Sequence, residues 1–174
     1  MKNFVTIYIA LLFLLAGTRA AGAEYSDKTL TKALKIADKL WSDHEIGLEP
    51  VFIEPSFLHY SSQDTLFRLL NEESTHVGYL VLSSAKGRFD FFDFMIVYSA
   101  ELEVIELRIL VYRSEHGSQV SSRAWLKQFY GLPPAEDRKY GSDVDALSGA
   151  TFSAKSLTEQ VNRVNGLMFE LSGD

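Results

Sequence analysis

A chain of 174 residues with 47% hydrophobic side chains is long enough to close a core of its own. Its formal charge of −6 argues against nucleic acid or an anionic membrane surface as partner. With no cysteine it has no disulfide, no thiol chemistry and no Cys-ligated metal or haem, so any redox role needs a carrier from outside the sequence.

The N-terminus reads as a signal peptide over residues 1–23. Lys2 gives a cationic start, Phe4 to Ala16 form an apolar run, and Ala21-Gly22-Ala23 supplies small residues for cleavage before Glu24. A run of that length suits a signal core and is short for a membrane span. Thr18 stands where a lipidated Cys would be needed, which argues against a lipoprotein. Cleavage leaves 151 residues with 15 basic and 23 acidic side chains, a charge of −8. The expected location is periplasmic or otherwise extracytoplasmic; the alternative is anchoring by an uncleaved N-terminal segment.

SDKTLTKALKIADKLWSD, from Ser26, predicts an amphipathic helix: Leu30, Leu34, Ala37, Leu40 and Trp41 fall on one face, and Ser26 or Asp27 can cap it. Pro50 and Pro55 then predict a loop. Four strand-like segments follow, DTLFRLL, HVGYLVLSSA, FDFFDFMIVY and EVIELRILVYR, with turns at Glu72 to Thr75, at Lys86-Gly87 and at Ser99 to Glu101. Their order predicts an antiparallel meander of four or more strands with one face covered. Phe89, Phe91, Phe92, Phe94 and Tyr98 read as core packing, and Glu101, Glu103 and Glu106 as a solvated turn and strand face. SSRAWLKQFYGLPP predicts a helix capped by Ser121 or Ser122 and stopped by Gly131 and Pro133. The last helix is expected from about Ser153 to Leu171, with Leu157, Val161, Val164, Met168 and Leu171 as its apolar stripe and Thr151 or Ser153 as its cap. Ser156 and Glu159 have capping-box spacing. The fold class is a single α+β domain over residues 24–174, with helices packed on the sheet.

The segment DALSGATFSAKSLTEQV places Ser148-Gly149-Ala150-Thr151 directly ahead of that last helix. Backbone N–H groups at a helix start have no intrahelical partner and, with the macrodipole, favour a phosphate. Gly149 lets the chain turn tightly and approach a ligand; Ser148, Thr151 and Ser153 offer hydroxyls that can bond an anion or carry one covalently. A plain capped helix after an Asp-Ser-Gly loop explains the same residues. A P-loop is excluded because its glycine and Lys-Ser/Thr pattern is missing, and Ser148 lacks the G-x-S-x-G elbow of a hydrolase.

Asp145, Ser148-Gly149-Ala150-Thr151 and Ser153 resemble the flavinylation motif of the FMN-binding domain family. That family includes the C subunit of the sodium-pumping NADH:quinone reductase and the G subunit of the Rnf complex. The resemblance implies FMN joined through a phosphodiester to Thr151, attached outside the cytoplasmic membrane by a flavin transferase that uses FAD. It implies an electron-transfer module, not a stand-alone enzyme, that exchanges electrons with membrane or extracytoplasmic redox partners. The two named subunits carry Thr-Pro-Gly after the last strand, where this chain has Ser114 to Gln119; His116 and Ser118 are candidates to approach the flavin, and Lys155 to contact its phosphate. Two other readings stand beside this one: an exported binding protein without flavin, and a flavin oxidoreductase acting on a small substrate. His44, His59, His76 and His116 show no metal-ligand spacing, and Asp90 and Asp93 read as facing opposite sides of one strand.

Overall fold

The computed structural model describes residues 25–41, 45–57 and 59–173. The expected signal peptide and His44 lie outside the described residues.

Helix α1 runs Asp27–Asp38. Ser26 begins it, its Oγ accepting the Thr29 N–H at 3.3 Å. Ala33, Leu34 and Ala37 are buried and Leu30, Leu40 and Trp41 half-buried, as the helical spacing requires.

Five strands follow: β1 (Gly47–Val51), β2 (Thr65–Leu70), β3 (His76–Lys86), β4 (Phe91–Ser99) and β5 (Val104–Val111). They form one antiparallel sheet in sequence order. Strand β1 falls within the segment expected to be a loop. Pro50 pairs opposite Phe67 at the sheet edge, where a residue without an N–H breaks no ladder on its outer side.

Helix α3, Thr151–Ser172, crosses one face of this sheet. Leu157, Val161, Val164, Leu167 and Met168 pack there with Val81, Ala85, Phe92, Phe94, Ile96 and Tyr98. The Leu, Val, Ile, Phe and Met side chains among them each contribute roughly 1.5–3 kcal/mol by leaving water. The expectation of one covered face is corrected: Leu80, Leu82, Met95 and Val97 on the opposite face form a second core with Ala33 and Ile46. The strands therefore read as nearly continuous apolar runs.

Two irregularities in the β4–β5 register leave Ile105 and Leu110 without strand partners. Lys32 Nζ of α1 donates to the Leu110 carbonyl at 2.5 Å, which ties α1 to β5. Glu106 is not on a solvated face, as expected, but buried; Arg108 Nε lies 2.8 Å from its Oε1, and Tyr130 OH also donates to Oε1. Arg108 is the same-face neighbour two residues on, whereas Tyr130 comes from a turn docked on β5 that the strand pattern does not show.

The helix expected over SSRAWLKQFYGLPP is short pieces instead: a 3-10 turn Ser118–Ser121, a single α turn α2 (Arg123–Leu126) and a 3-10 turn Lys127–Phe129. Ser122 holds the N-cap position but makes no side-chain capping bond. Gly131 takes φ +72° and its N–H bonds the Val104 carbonyl at 2.8 Å, so the segment's end docks on the start of β5. Among the described residues no helix is long and apolar enough to cross a membrane.

Candidate functional site

Helix α3 starts earlier than its apolar stripe suggests, with Ala150 as N-cap and no side chain capping it. Thr151 and Ser153 are inside the helix, so neither is the cap. Ser156 is not part of a capping box either; its Oγ accepts the Lys86 N–H at 3.0 Å. The first helical bond is from Ala154 N–H to the Ala150 carbonyl at 2.8 Å. The N–H groups of Thr151, Phe152 and Ser153 consequently have no intrahelical acceptor.

Two glycines shape the approach to this helix start. Gly149 has φ +78° and Gly117 has φ +86°, both in the left-handed region that disfavours a Cβ. A Cβ on Gly149 would lie 3.3 Å from Gln119 Nε2, and one on Gly117 only 2.6 Å from Tyr112 OH. The backbone of both loops is thus drawn close around the first turn of α3.

The result is an open cleft of about 450 Å³. Arg88 enters it from the β3–β4 turn, His116 and Gly117 from the segment after β5, and Gly149 to Ser153 with Lys155 from the helix start. Its size lies within the range of small-molecule sites. The lining includes Arg and Lys but no Asp or Glu, although the chain as a whole carries −6.

Ser153 holds these segments together. Its hydroxyl meets Tyr112 OH at 2.9 Å, and Tyr112 OH also donates to the His116 carbonyl at 2.8 Å. Further out, Arg113 Nη2 pairs with the buried Asp93 at 2.5 Å, while Nη1 donates to the Phe91 carbonyl at 3.0 Å. Asp93 is therefore a structural anion; Asp90 is exposed and its Oδ1 accepts the Phe91 N–H at 2.7 Å.

Of the residues singled out by sequence, the fold brings Gly149, Ala150, Thr151, Ser153, Lys155 and His116 to one cleft. Thr151 is exposed, and its Oγ1–H donates weakly to the Leu147 carbonyl at 3.3 Å. Ser153 is 2% exposed and engaged with Tyr112, so it is a brace and not an open hydroxyl. Lys155 Nζ lies 5.8 Å from the Tyr140 ring, whose OH accepts the Leu147 N–H at 2.9 Å. Three residues stay outside the lining: Ser148 in the exposed turn, Ser118 at the start of its 3-10 turn, and Asp145. Asp145 uses its backbone here, its carbonyl accepting Trp125 Nε1–H at 2.8 Å and its N–H bonding Gln128 Oε1 at 2.9 Å.

Sequence reasoning missed Arg88, Gly117 and Phe152 as lining residues. Gly117 could have been found as the glycine in an otherwise polar loop; Arg88 carries no local signal. The aromatic cluster also divides. Phe92, Phe94 and Tyr98 are core, whereas Phe89 and Phe91 are exposed, and Phe89 stands 6.2 Å from the His116 ring. No family model matches the chain, and no curated protein matches it.

Proposed function

We propose that the chain is an exported flavoprotein that carries FMN on Thr151 and relays electrons between redox partners. The observation that carries the reading is the uncapped start of α3 opening into a cation-lined cleft, with the exposed Thr151 hydroxyl at its edge. The residues present suit the group. The N–H groups of Thr151, Phe152 and Ser153 offer donors to a phosphate, and Lys155 adds charge one turn on. Gly149 keeps open the space a Cβ would enter.

Attachment replaces the Thr151 Oγ–H bond with an Oγ–P ester, FAD giving up AMP on a flavin transferase. Covalent linkage prevents loss of the cofactor outside the cytoplasm. When bound, FMN supplies one- or two-electron chemistry at its ring. The polypeptide's own work is to hold the phosphate at the helix start, to brace the cleft through Tyr112 and Ser153, and to cover part of the ring with apolar side chains such as Phe152. The open side of the cleft leaves room for a partner to approach, as a carrier with brief, small contacts requires.

The test is the intact mass of exported protein made with a flavin transferase, wild type beside Thr151→Ala. An added FMN mass in wild type that is absent from the variant is the expected result. Unmodified wild type, with the transferase active on a control substrate, would leave a helix start and no carrier.

A further inference from the structure

We propose that Arg88 and Phe89, at the tip of the β3–β4 hairpin, form the ring-side wall of the cleft, Phe89 packing on the isoalloxazine and Arg88 setting a positive charge beside it. The inference rests on the FMN-carrier reading and adds to it two residues outside the motif.

Phe89 is 69% exposed, in a chain that buries Phe67, Phe92, Phe94 and Phe129 almost completely. The neighbours of the Phe89 ring are cleft residues. Arg88 Cζ lies 5.3 Å from its centroid, and the His116 ring centroid is at 6.2 Å with a 56° tilt. Phe152, which lines the cleft, is 51% exposed, and Phe89 stands beside the lining residues Arg88 and His116.

The hairpin tip is held in place before any ligand arrives. Gly87 N–H bonds the Asp90 carbonyl at 2.7 Å, closing the turn. A Cβ on Gly87 would reach within 3.6 Å of Ser153 Oγ, so the turn lies against the first turn of α3. The Lys86 N–H bond to Ser156 and the Arg113 bond to the Phe91 carbonyl fix the residues on either side. An exposed aromatic on so restrained a turn is preorganised, which lowers the cost of ordering it on a ligand.

Position separates the roles of the two cations. Lys155 belongs to the first turns of α3, on the element that presents Thr151, and serves the phosphate end. Arg88 comes from a different element and flanks Phe89, so it serves the ring end. A fixed cation there favours the more negative, reduced state of the ring and raises its potential. A phenyl ring leaves flavin emission intact, whereas a tyrosine phenol in contact with the ring quenches it by electron transfer, so tyrosine at this position reports the contact.

The experiment uses the exported full chain made with a flavin transferase, comparing wild type, Phe89→Ala, Phe89→Tyr and Arg88→Gln. Intact mass reports attachment, steady-state emission reports ring contact, and a redox titration gives the midpoint potential. With FMN attached in all four, emission should fall several-fold in Phe89→Tyr and stay near the wild-type level in Phe89→Ala, and the midpoint should move to more negative potential in Arg88→Gln. Attached flavin with unchanged emission in Phe89→Tyr and unchanged potential in Arg88→Gln overturns this inference and leaves the carrier reading intact. Loss of the FMN mass from folded Phe89→Ala also overturns it, because Phe89 would then serve recognition by the transferase. Wild type without FMN removes the carrier reading itself, and this inference with it.

Discussion

Tyr112 and Ser153 meet hydroxyl to hydroxyl at 2.9 Å, joining the chain after β5 to the first turn of α3. Tyr112 has one proton to give and donates it to the His116 carbonyl, so Ser153 is the donor between the two. Ser153→Ala removes one donor and leaves Tyr112 with its other bond. Tyr112→Phe strands a hydroxyl that is 2% exposed and frees the His116 loop as well. An unmade buried bond costs about 1–3 kcal/mol against about 0.5–1.5 for a lost pair. Urea denaturation should therefore rank Tyr112→Phe as the more destabilised variant; the reverse order would mean that the loop is held by other contacts.

The two left-handed glycines at the cleft should differ in the same assay. Alanine at either position costs about 1–2 kcal/mol for the backbone conformation alone. At Gly149 the added methyl meets the end of the flexible Gln119 side chain at 3.3 Å, which can swing away. At Gly117 it would sit 2.6 Å from Tyr112 OH and 3.2 Å from Ser153 Oγ, inside the brace. Gly117→Ala should lose more stability than Gly149→Ala by at least about 1 kcal/mol, in line with other overpacked sites. Equal losses would show that the brace gives way easily.

The meander was legible because β2 to β5 are apolar runs bounded by their own turn residues, and α3 because its apolar stripe keeps helical spacing through Met168. Strand β1 was not, since Pro50 argues against a strand unless the edge position is known. Glu106 was misread because Tyr130 covers it from a turn docked on β5, which the residues of the strand do not show. The site divides the same way. Gly149, Ala150 and Thr151 are contiguous with the helix start, so the sequence alone brings them together. Arg88 reaches the cleft only through the β3–β4 turn, with Phe89 beside it, and nothing local to them points there.

A buried ion pair ties α3 to the far end of the sheet. Asp64 is fully buried and accepts two Arg163 N–H groups at 2.7 Å each, while Ser83 Oγ donates to it at 2.7 Å. Arg163→Met leaves that carboxylate without its cation and should cost about 3–5 kcal/mol. Removing both charges with Asp64→Leu and Arg163→Met together should cost less than Arg163→Met alone. A double variant as unstable as the sum of the singles would show the two side chains to be uncoupled.

Alkaline stability should be governed by three phenols. Burial first, and then the Glu106 carboxylate, push Tyr130 up to about 12 from its ordinary 10.0. Burial also raises Tyr25 and Tyr98 well beyond the usual tyrosine range. Each is protonated in the folded state at a pH where the unfolded chain has begun to ionise. The stability they provide is complete below pH 10.0 and is lost as pH rises towards about 12. Denaturation midpoints should fall over that window, and Tyr130→Phe should flatten part of the decline. A flat profile in wild type would place these phenols in water.

Of the hydroxyls in and around the motif, only Thr151 combines exposure with a place at the cleft. Ser148 is exposed but lies outside the lining, and Ser153 lines the cleft with its hydroxyl committed to Tyr112 at 2.9 Å. Thr151 Oγ1 gives up only a 3.3 Å bond to the Leu147 carbonyl when it reacts. Under the carrier reading Thr151→Ala should abolish attachment, and Thr151→Ser should retain it, since the oxygen and its position at the helix start survive. Ser148→Ala should leave the attached fraction near wild type. Ser153→Ala should lower it only as far as the loosened brace blurs the cleft, and Tyr112→Phe should lower it further, because it also frees the His116 loop. Intact mass across the five proteins measures this directly. Attachment that persists in Thr151→Ala but disappears in Ser148→Ala would move the acceptor to the exposed turn and put the phosphate outside the helix start.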